Sequence, residues 1–483
     1  MSLKQKTVSG LLWSFIDNFA KLGLTFFIGI ILARLLTPRE FGLIGMITIF
    51  IALSQSLVDS GFTQALIRKK DCTQADFSTV FYFNLFVGIV LYAVLFFSAG
   101  AISRFFDEPQ LRLIVQVVGL SIIVNAFTIV QRARLTKEIN FKLQTKISII
   151  ASICSGVFGI VMAYTGYGVW SLVYKTLLGF AITSLFLWLW NKWKPTLVFS
   201  RNSFKEMFSF GYKLMISGLI DTAYRNIYLL IIGKYFSATE LGFYTRADQF
   251  KNLPSQNITG VIQRVSYPVL AEMQGDIPRL KTAYQKIIKS TMLITFVSMM
   301  IMVAIAKPLV LVLIGEKWLP SVVYLQLLSF VGMLYPLHAI NLNMLNVQGR
   351  SDLFLRLEII KKILAIPVIV IGVLLGIEMM IVGMILISVI SYFLNSYYSG
   401  QHIGYSSMQQ LKDILPSFVL ALFIGALVYL IGMFLDLPNY LILIIQLIAG
   451  GGIFFVLAEL FKMKDYIFVK EIFLEKLMKR KND

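Results

Sequence analysis

Apolar runs of about 20 residues, the length a helix needs to cross the hydrocarbon of a bilayer, recur from Leu11 to Leu460. Gly, Pro or charged clusters break each run from the next. In lipid every backbone N–H and C=O must be satisfied inside the protein, and continuous apolar runs without alternation satisfy them as helices. With 58% of residues hydrophobic and 14% charged, little chain remains for a soluble domain. The fold class expected is all-α integral membrane, with about fourteen transmembrane helices.

The runs lie near 11–33, 41–60, 79–100, 111–131, 147–164 and 168–190, then 211–233, 241–268, 288–314, 321–345, 359–376 and 379–398, and finally 414–434 and 438–460. This gives an N-lobe over 1–190, a basic cytoplasmic connector over 191–210, a C-lobe over 211–400, two peripheral helices within 401–460 and a basic tail over 461–483. The polar start, Met1 to Gly10 with Lys4 and Lys6, precedes a run with no cleavage site after it, so the first helix is retained. Placing the amino end inside leaves only Arg34, Arg39, Arg104, Arg112, Lys234, Lys307 and Lys317 in the opposite loops. Most of the 44 Lys and Arg then face the cytoplasm, as the positive-inside rule requires, and both termini are cytoplasmic. The same scatter explains the net charge of +19 without nucleic acid. Cys72, Cys154, His338 and His402 are too few and too dispersed for a disulfide framework or a metal site.

A repeat is visible. Ile31 to Met46, ILARLLTPREFGLIGM, aligns with Ile231 to Arg246, IIGKYFSATELGFYTR, matching Arg34 to Lys234, Glu40 to Glu240 and Gly42 to Gly242 at one constant offset. Each copy joins the first and second helices of its lobe on the same side of the membrane. The two six-helix lobes are therefore a parallel pseudo-repeat, which predicts a cleft between them.

Charges inside apolar runs are costly, and they mark candidate function. Asp17 and Lys21 share one helix face, as do Asp221 and Arg225; each pair reads either as a neutralised pair that aids insertion or as part of a site. The eighth run is the most polar: YTRADQFKNLPSQNITGVIQRVSYPVL carries Arg246, Asp248, Lys251 and Arg264, with Gln249, Gln256, Asn257 and Gln263. Its polar stripe predicts a helix lining a wet cleft, against the alternative of an interfacial amphipathic helix. Lys175 in the sixth run is a further cleft candidate, whereas Lys213 can snorkel to the interface. His338 reads as a satisfied interior histidine. The intramembrane cations Lys21, Lys175, Lys213, Arg225, Arg246, Lys251 and Arg264 outnumber Asp17, Asp59, Asp221 and Asp248, which favours an anionic substrate such as a diphosphate. Lys479, Arg480 and Lys481 in the tail suit anionic membrane lipids.

The stretches ILARLLTPREFGLIGMITIF and GFYTRADQFKNLPSQNITGVIQRVSYPVLAEMQGD resemble the polysaccharide-exporter branch of the multidrug/oligosaccharidyl-lipid/polysaccharide flippase superfamily. Within it the chain is similar to the Wzx-type flippases of the colanic acid and teichuronic acid exporter group. The resemblance implies a MATE-like fold of twelve helices plus two. It also implies export of an undecaprenyl-diphosphate-linked oligosaccharide across the bacterial cytoplasmic (inner) membrane, with glycan polymerase machinery as a partner. The family's basic cavity maps onto Arg225, Arg246, Lys251 and Arg264, with Lys175 and Lys21. No cofactor is expected; H+ or Na+ is the expected coupling ion, through Asp17, Asp221 or Asp248. Rival readings are a lipid II-type flippase, a drug or cation antiporter of the same fold, and a membrane-embedded glycan polymerase or ligase. The basic balance argues against the antiporter. The short outer loops, near 101–110 and 315–320, argue against an enzyme.

Overall fold

A computed structural model describes residues 3–59, 61–463, 465–467 and 470–471, and among them every regular element is helical. The tail residues Lys479, Arg480 and Lys481 lie outside the described residues. The chain divides into two compact units, Met1–Gly242 and Phe243–Asp483.

Unit 1 contains α1 (Leu3–Leu35), α2 (Pro38–Asp59), a short α3 (Phe62–Arg68), α4 (Gln74–Phe106), α5 (Leu111–Lys137), α6 (Phe141–Tyr164), α7 (Val169–Trp190), α8 (Arg201–Tyr235) and the first turn of α9 (Ala238–Glu272). Unit 2 contains the rest of α9, α10 (Ile277–Leu313), a 3-10 turn (Glu316–Trp318), α11 (Ser321–Met333), α12 (Tyr335–Val347), α13 (Ser351–Leu375), α14 (Ile377–Gln401), α15 (Ser407–Phe434) and α16 (Asn439–Leu460). Eleven spans are long and apolar enough to cross a membrane, counting α2 with α3 and α11 with α12 as one span each. The long helices α1, α9 and α13 bring the total to the fourteen expected; α9 is set apart by its polarity, and α13 by Arg356, Glu358, Lys361 and Lys362.

Several helices, α4, α8 and α10 among them, begin earlier than their apolar runs because polar caps start them outside the hydrocarbon. Ser200 accepts from Ser203 N at 3.2 Å and opens α8 inside the segment read as a connector. Asp276 caps α10 ahead of its Pro278, and the Thr73–Asp76 capping box opens α4. What remains of the connector is pinned to unit 1: Trp193 Nε1 donates to Gln74 Oε1 at 2.7 Å, and Gln131 Nε2 donates to the Trp193 carbonyl at 3.1 Å. α8 packs along α2, so by contact it belongs with unit 1. In unit 2, α15 and α16 pack on α10, with Gly425 against Met300 and Gly450 against Ile301. These two helices are integral to the core of that unit.

The sequence repeat has a structural counterpart within unit 1. α1 ends at Leu35 and α2 starts at Pro38; α8 ends at Tyr235 and α9 starts at Ala238. A Cβ on Gly42 would overlap the Ala238 carbonyl, and one on Gly242 would overlap the Pro38 carbonyl. The two turns therefore cross reciprocally through equivalent residues, and only glycine permits so close a backbone approach.

Candidate functional site

The most charged helix, α9, divides at Pro254. Before it, Arg246 and Lys251 are buried in unit 2. Lys251 is 2% exposed, and its Nζ lies 2.6 Å from Asp248 Oδ1 and 4.9 Å from the centroid of the Tyr335 ring. Asn252 Nδ2 donates to Asp248 Oδ2 at 2.8 Å, holding the carboxylate from the other side. Arg246 is also buried; it donates to Gln249 Oε1 and lies 5.8 Å over the ring of the fully buried Trp318.

A helix break receives Lys251. The sequence predicts one helix over 321–345, but α11 stops at Met333 and α12 restarts at Tyr335, with Pro336 in its first turn. Proline supplies no N–H and clashes with the preceding turn, which interrupts the helix there. The Lys251 stem packs on Gly332, in the last turn of α11, where a Cβ would lie 3.0 Å from Lys251 Cδ. Partial negative charge at a helix C-terminus favours a cation at that position.

After Pro254 the pattern reverses. Gln256, Gln263 and Arg264 are exposed, whereas Asn257 turns back to donate to the Leu253 carbonyl. Ser266 is buried and accepts from Asn343 Nδ2 at 3.0 Å. The polar stripe is thus a buried half followed by an exposed half.

The other sequence candidates lie in unit 1. Asp221 and Arg225 pair at 2.9 Å on α8, with side chains 47% and 75% exposed. Asp17 does not pair with Lys21, which is exposed; among the described residues the charge acting on Asp17 is Arg132 on α5. Lys175 is half-buried, its stem against Gly159 of α6. Asp248 and Lys251 thus form one cluster, Arg246 is engaged separately by Gln249 and Trp318, and Arg225, Lys21 and Lys175 stand on separate helices. Asn252 and Tyr335 complete that cluster and Trp318 lies under Arg246, and sequence reasoning missed all three. Asn252 carried a signal, since it lies four residues from Asp248; the other two are brought in by folding.

A second polar core in unit 2 is also closed upon itself. His338 Nε2 lies 3.0 Å from Ser388 Oγ, and Tyr284 donates to Asn341 Oδ1 at 2.8 Å, which also accepts from Ser399. These satisfied groups hold α10, α12 and α14 together.

Residues 31–323 match the polysaccharide biosynthesis protein family. The chain belongs to that family. Among its relatives, the lipopolysaccharide biosynthesis protein WzxC of Escherichia coli (strain K12) is 28% identical over 77% of this chain and 76% of its own length. The teichuronic acid biosynthesis protein TuaB of Bacillus subtilis (strain 168) is 25% identical over 73% of each chain. Among solved structures, the lipid II flippase MurJ in an inward closed conformation superposes with a TM-score of 0.77, at 15% identity, over 93% of this chain and 98% of that one. That likeness establishes the MATE-like transporter fold expected from the sequence. The chain is a multi-pass membrane protein of this architecture.

Proposed function

We propose that this protein is a flippase that carries an undecaprenyl-diphosphate-linked oligosaccharide from the cytoplasmic to the periplasmic leaflet of the bacterial inner membrane. The observation that carries this reading is the family match across residues 31–323 in a chain of membrane-spanning helices. The names of WzxC and TuaB attach them to lipopolysaccharide and teichuronic acid biosynthesis.

The division of α9 suggests how charge is used. Arg246 and Lys251 are engaged inside unit 2 and brace the helix, whereas Arg264, Gln256 and Gln263 are presented outward. A diphosphate needs guanidinium or ammonium partners in a medium where bare charge is costly, and Arg264 supplies one beside amides suited to glycan hydroxyls. Arg225 and Lys21 supply further exposed cations. In this reading the substrate is exposed alternately to each side of the membrane, the termini stay cytoplasmic, and no covalent step is required. An H+ or Na+ gradient couples through Asp221 or Asp17, and the glycan then passes to polymerase machinery outside.

The test is genetic. Deleting the gene should trap lipid-linked oligosaccharide in the cytoplasmic leaflet and remove the surface polysaccharide. Arg264→Ala should insert normally yet fail to restore it. Unchanged surface polysaccharide in the deletion strain would refute the reading.

A further inference from the structure

One end of unit 1 carries a pocket that the α9 charges do not touch. The α1–α2, α4–α5 and α6–α7 connections meet there, because successive helices return alternate connections to the same end. The pocket has a volume of about 410 Å³, and its polar and aromatic lining comes from Thr37, Arg39, Glu40, Gln110, Tyr167 and Trp170. That volume falls within the roughly 300–1,000 Å³ of small-ligand sites. From this lining we infer a binding subsite for a single neutral sugar residue.

Three features select that ligand. The first is aromatic surface: Trp170 leans on Tyr174 at 5.8 Å and 35°, which fixes its plane, and Tyr167 is 58% exposed. Flat rings of this kind pack against the C–H faces of a pyranose at low entropic cost. The second is the planar polar groups beside the rings. Gln110 is exposed and offers both a donor and an acceptor, and the Glu40 carboxylate is held by Thr37 N at 2.6 Å and Thr37 Oγ1 at 2.9 Å. Vicinal hydroxyls, each both donor and acceptor, complement such a set.

The third feature is charge. Arg39, the cation in the pocket's lining, is already paired with Glu108 at 2.6 Å. A phosphate entering here would have to compete with Glu108 for that guanidinium, beside the Glu40 carboxylate, which disfavours an anionic lipid headgroup. Aromatic residues at this level also arise as a simple interfacial belt, so the headgroup is the occupant the experiment must exclude. Under the proposed orientation the pocket opens on the extracytoplasmic side, where a glycan emerges.

Saturation-transfer NMR on the full-length protein in lipid nanodiscs tests this, with the methyl glycosides of glucose, galactose and rhamnose and with glycerol phosphate and phosphocholine as probes. At least one glycoside should show transfer. Trp170→Ala and Gln110→Ala should each weaken it about tenfold, and Trp170→Phe should retain it. Gln110 is exposed, so its variant tests the site even where Trp170→Ala fails to fold. The inference is overturned by the absence of glycoside transfer, by transfer unchanged in both alanine variants, or by transfer to glycerol phosphate or phosphocholine in place of the glycosides. Binding is read here without transport, so either result leaves the flippase reading to its own assay.

Discussion

Lys251 and Asp248 share one ion pair but not one environment, and the difference predicts unequal consequences of breaking it. The Lys251 side chain is 2% exposed and that of Asp248 is 35% exposed. Breaking a buried pair costs about 3–5 kcal/mol because the surviving charge is stranded, whereas replacing both partners is near neutral. Asp248→Asn strands the ammonium against Tyr335 and the end of α11, and should destabilise by about 3 kcal/mol. Lys251→Met keeps the stem volume against Gly332 and leaves a carboxylate that still has Asn252 and solvent, so its cost should be about 1 kcal/mol. The double variant should return to within about 1 kcal/mol of the parent, since the two residues are directly coupled. Apparent melting in detergent, followed by fluorescence-detected size exclusion, measures all three. Equal losses in the single variants, or a double variant as unstable as Asp248→Asn, would refute the reasoning.

Three further perturbations follow from the fold. Gly42→Ala drives a methyl into the Ala238 carbonyl and should cost about 1–3 kcal/mol, whereas Gly23→Ala, with open space around it, should be neutral; equal melting temperatures would count against the crossing. The hydrogen bond from Lys69 to Glu206, at 2.9 Å, is the main influence raising the Lys69 ammonium above its ordinary value. A raised base stabilises the fold fully below the unfolded value and loses that contribution as pH climbs through the folded one, so Glu206→Gln should be the less stable at neutral pH and converge with the parent above about pH 10.4. Burial raises the Asp465 carboxyl, with Lys289 opposing and Asp413 adding to the shift. A raised acid penalises the folded state above its ordinary value, so Asp465→Asn should melt higher at pH 7, with the gain vanishing below about pH 3.9.

Much of this architecture is legible in the sequence because lipid enforces it. The eleven long apolar spans follow from hydropathy, and the shared turn chemistry of Thr37–Glu40 and Ser237–Glu240 announces the repeat that the structure closes through Gly42 and Gly242. Helix starts are less legible, since hydropathy marks where a helix lies in lipid and not where Ser200 or Asp276 caps it. The polar run of α9 shows its composition but not its inward and outward halves; that division depends on Gly332 and Tyr335 at a break produced by Pro336. Asp17 illustrates the remaining gap. Helical spacing offered Lys21 as its partner, yet packing of α1 brings Arg132, far away in sequence, into its field.

The most direct measurement of the central claim is flipping by the purified protein in proteoliposomes loaded on one leaflet with fluorescent undecaprenyl-diphosphate-linked oligosaccharide. The account predicts protein-dependent movement of the glycan to the opposite leaflet, retained when the glycan is lipid-linked and lost in Arg264→Ala. Leaflet exchange no faster than in empty liposomes, across lipid-linked substrates purified from the native host, would contradict it.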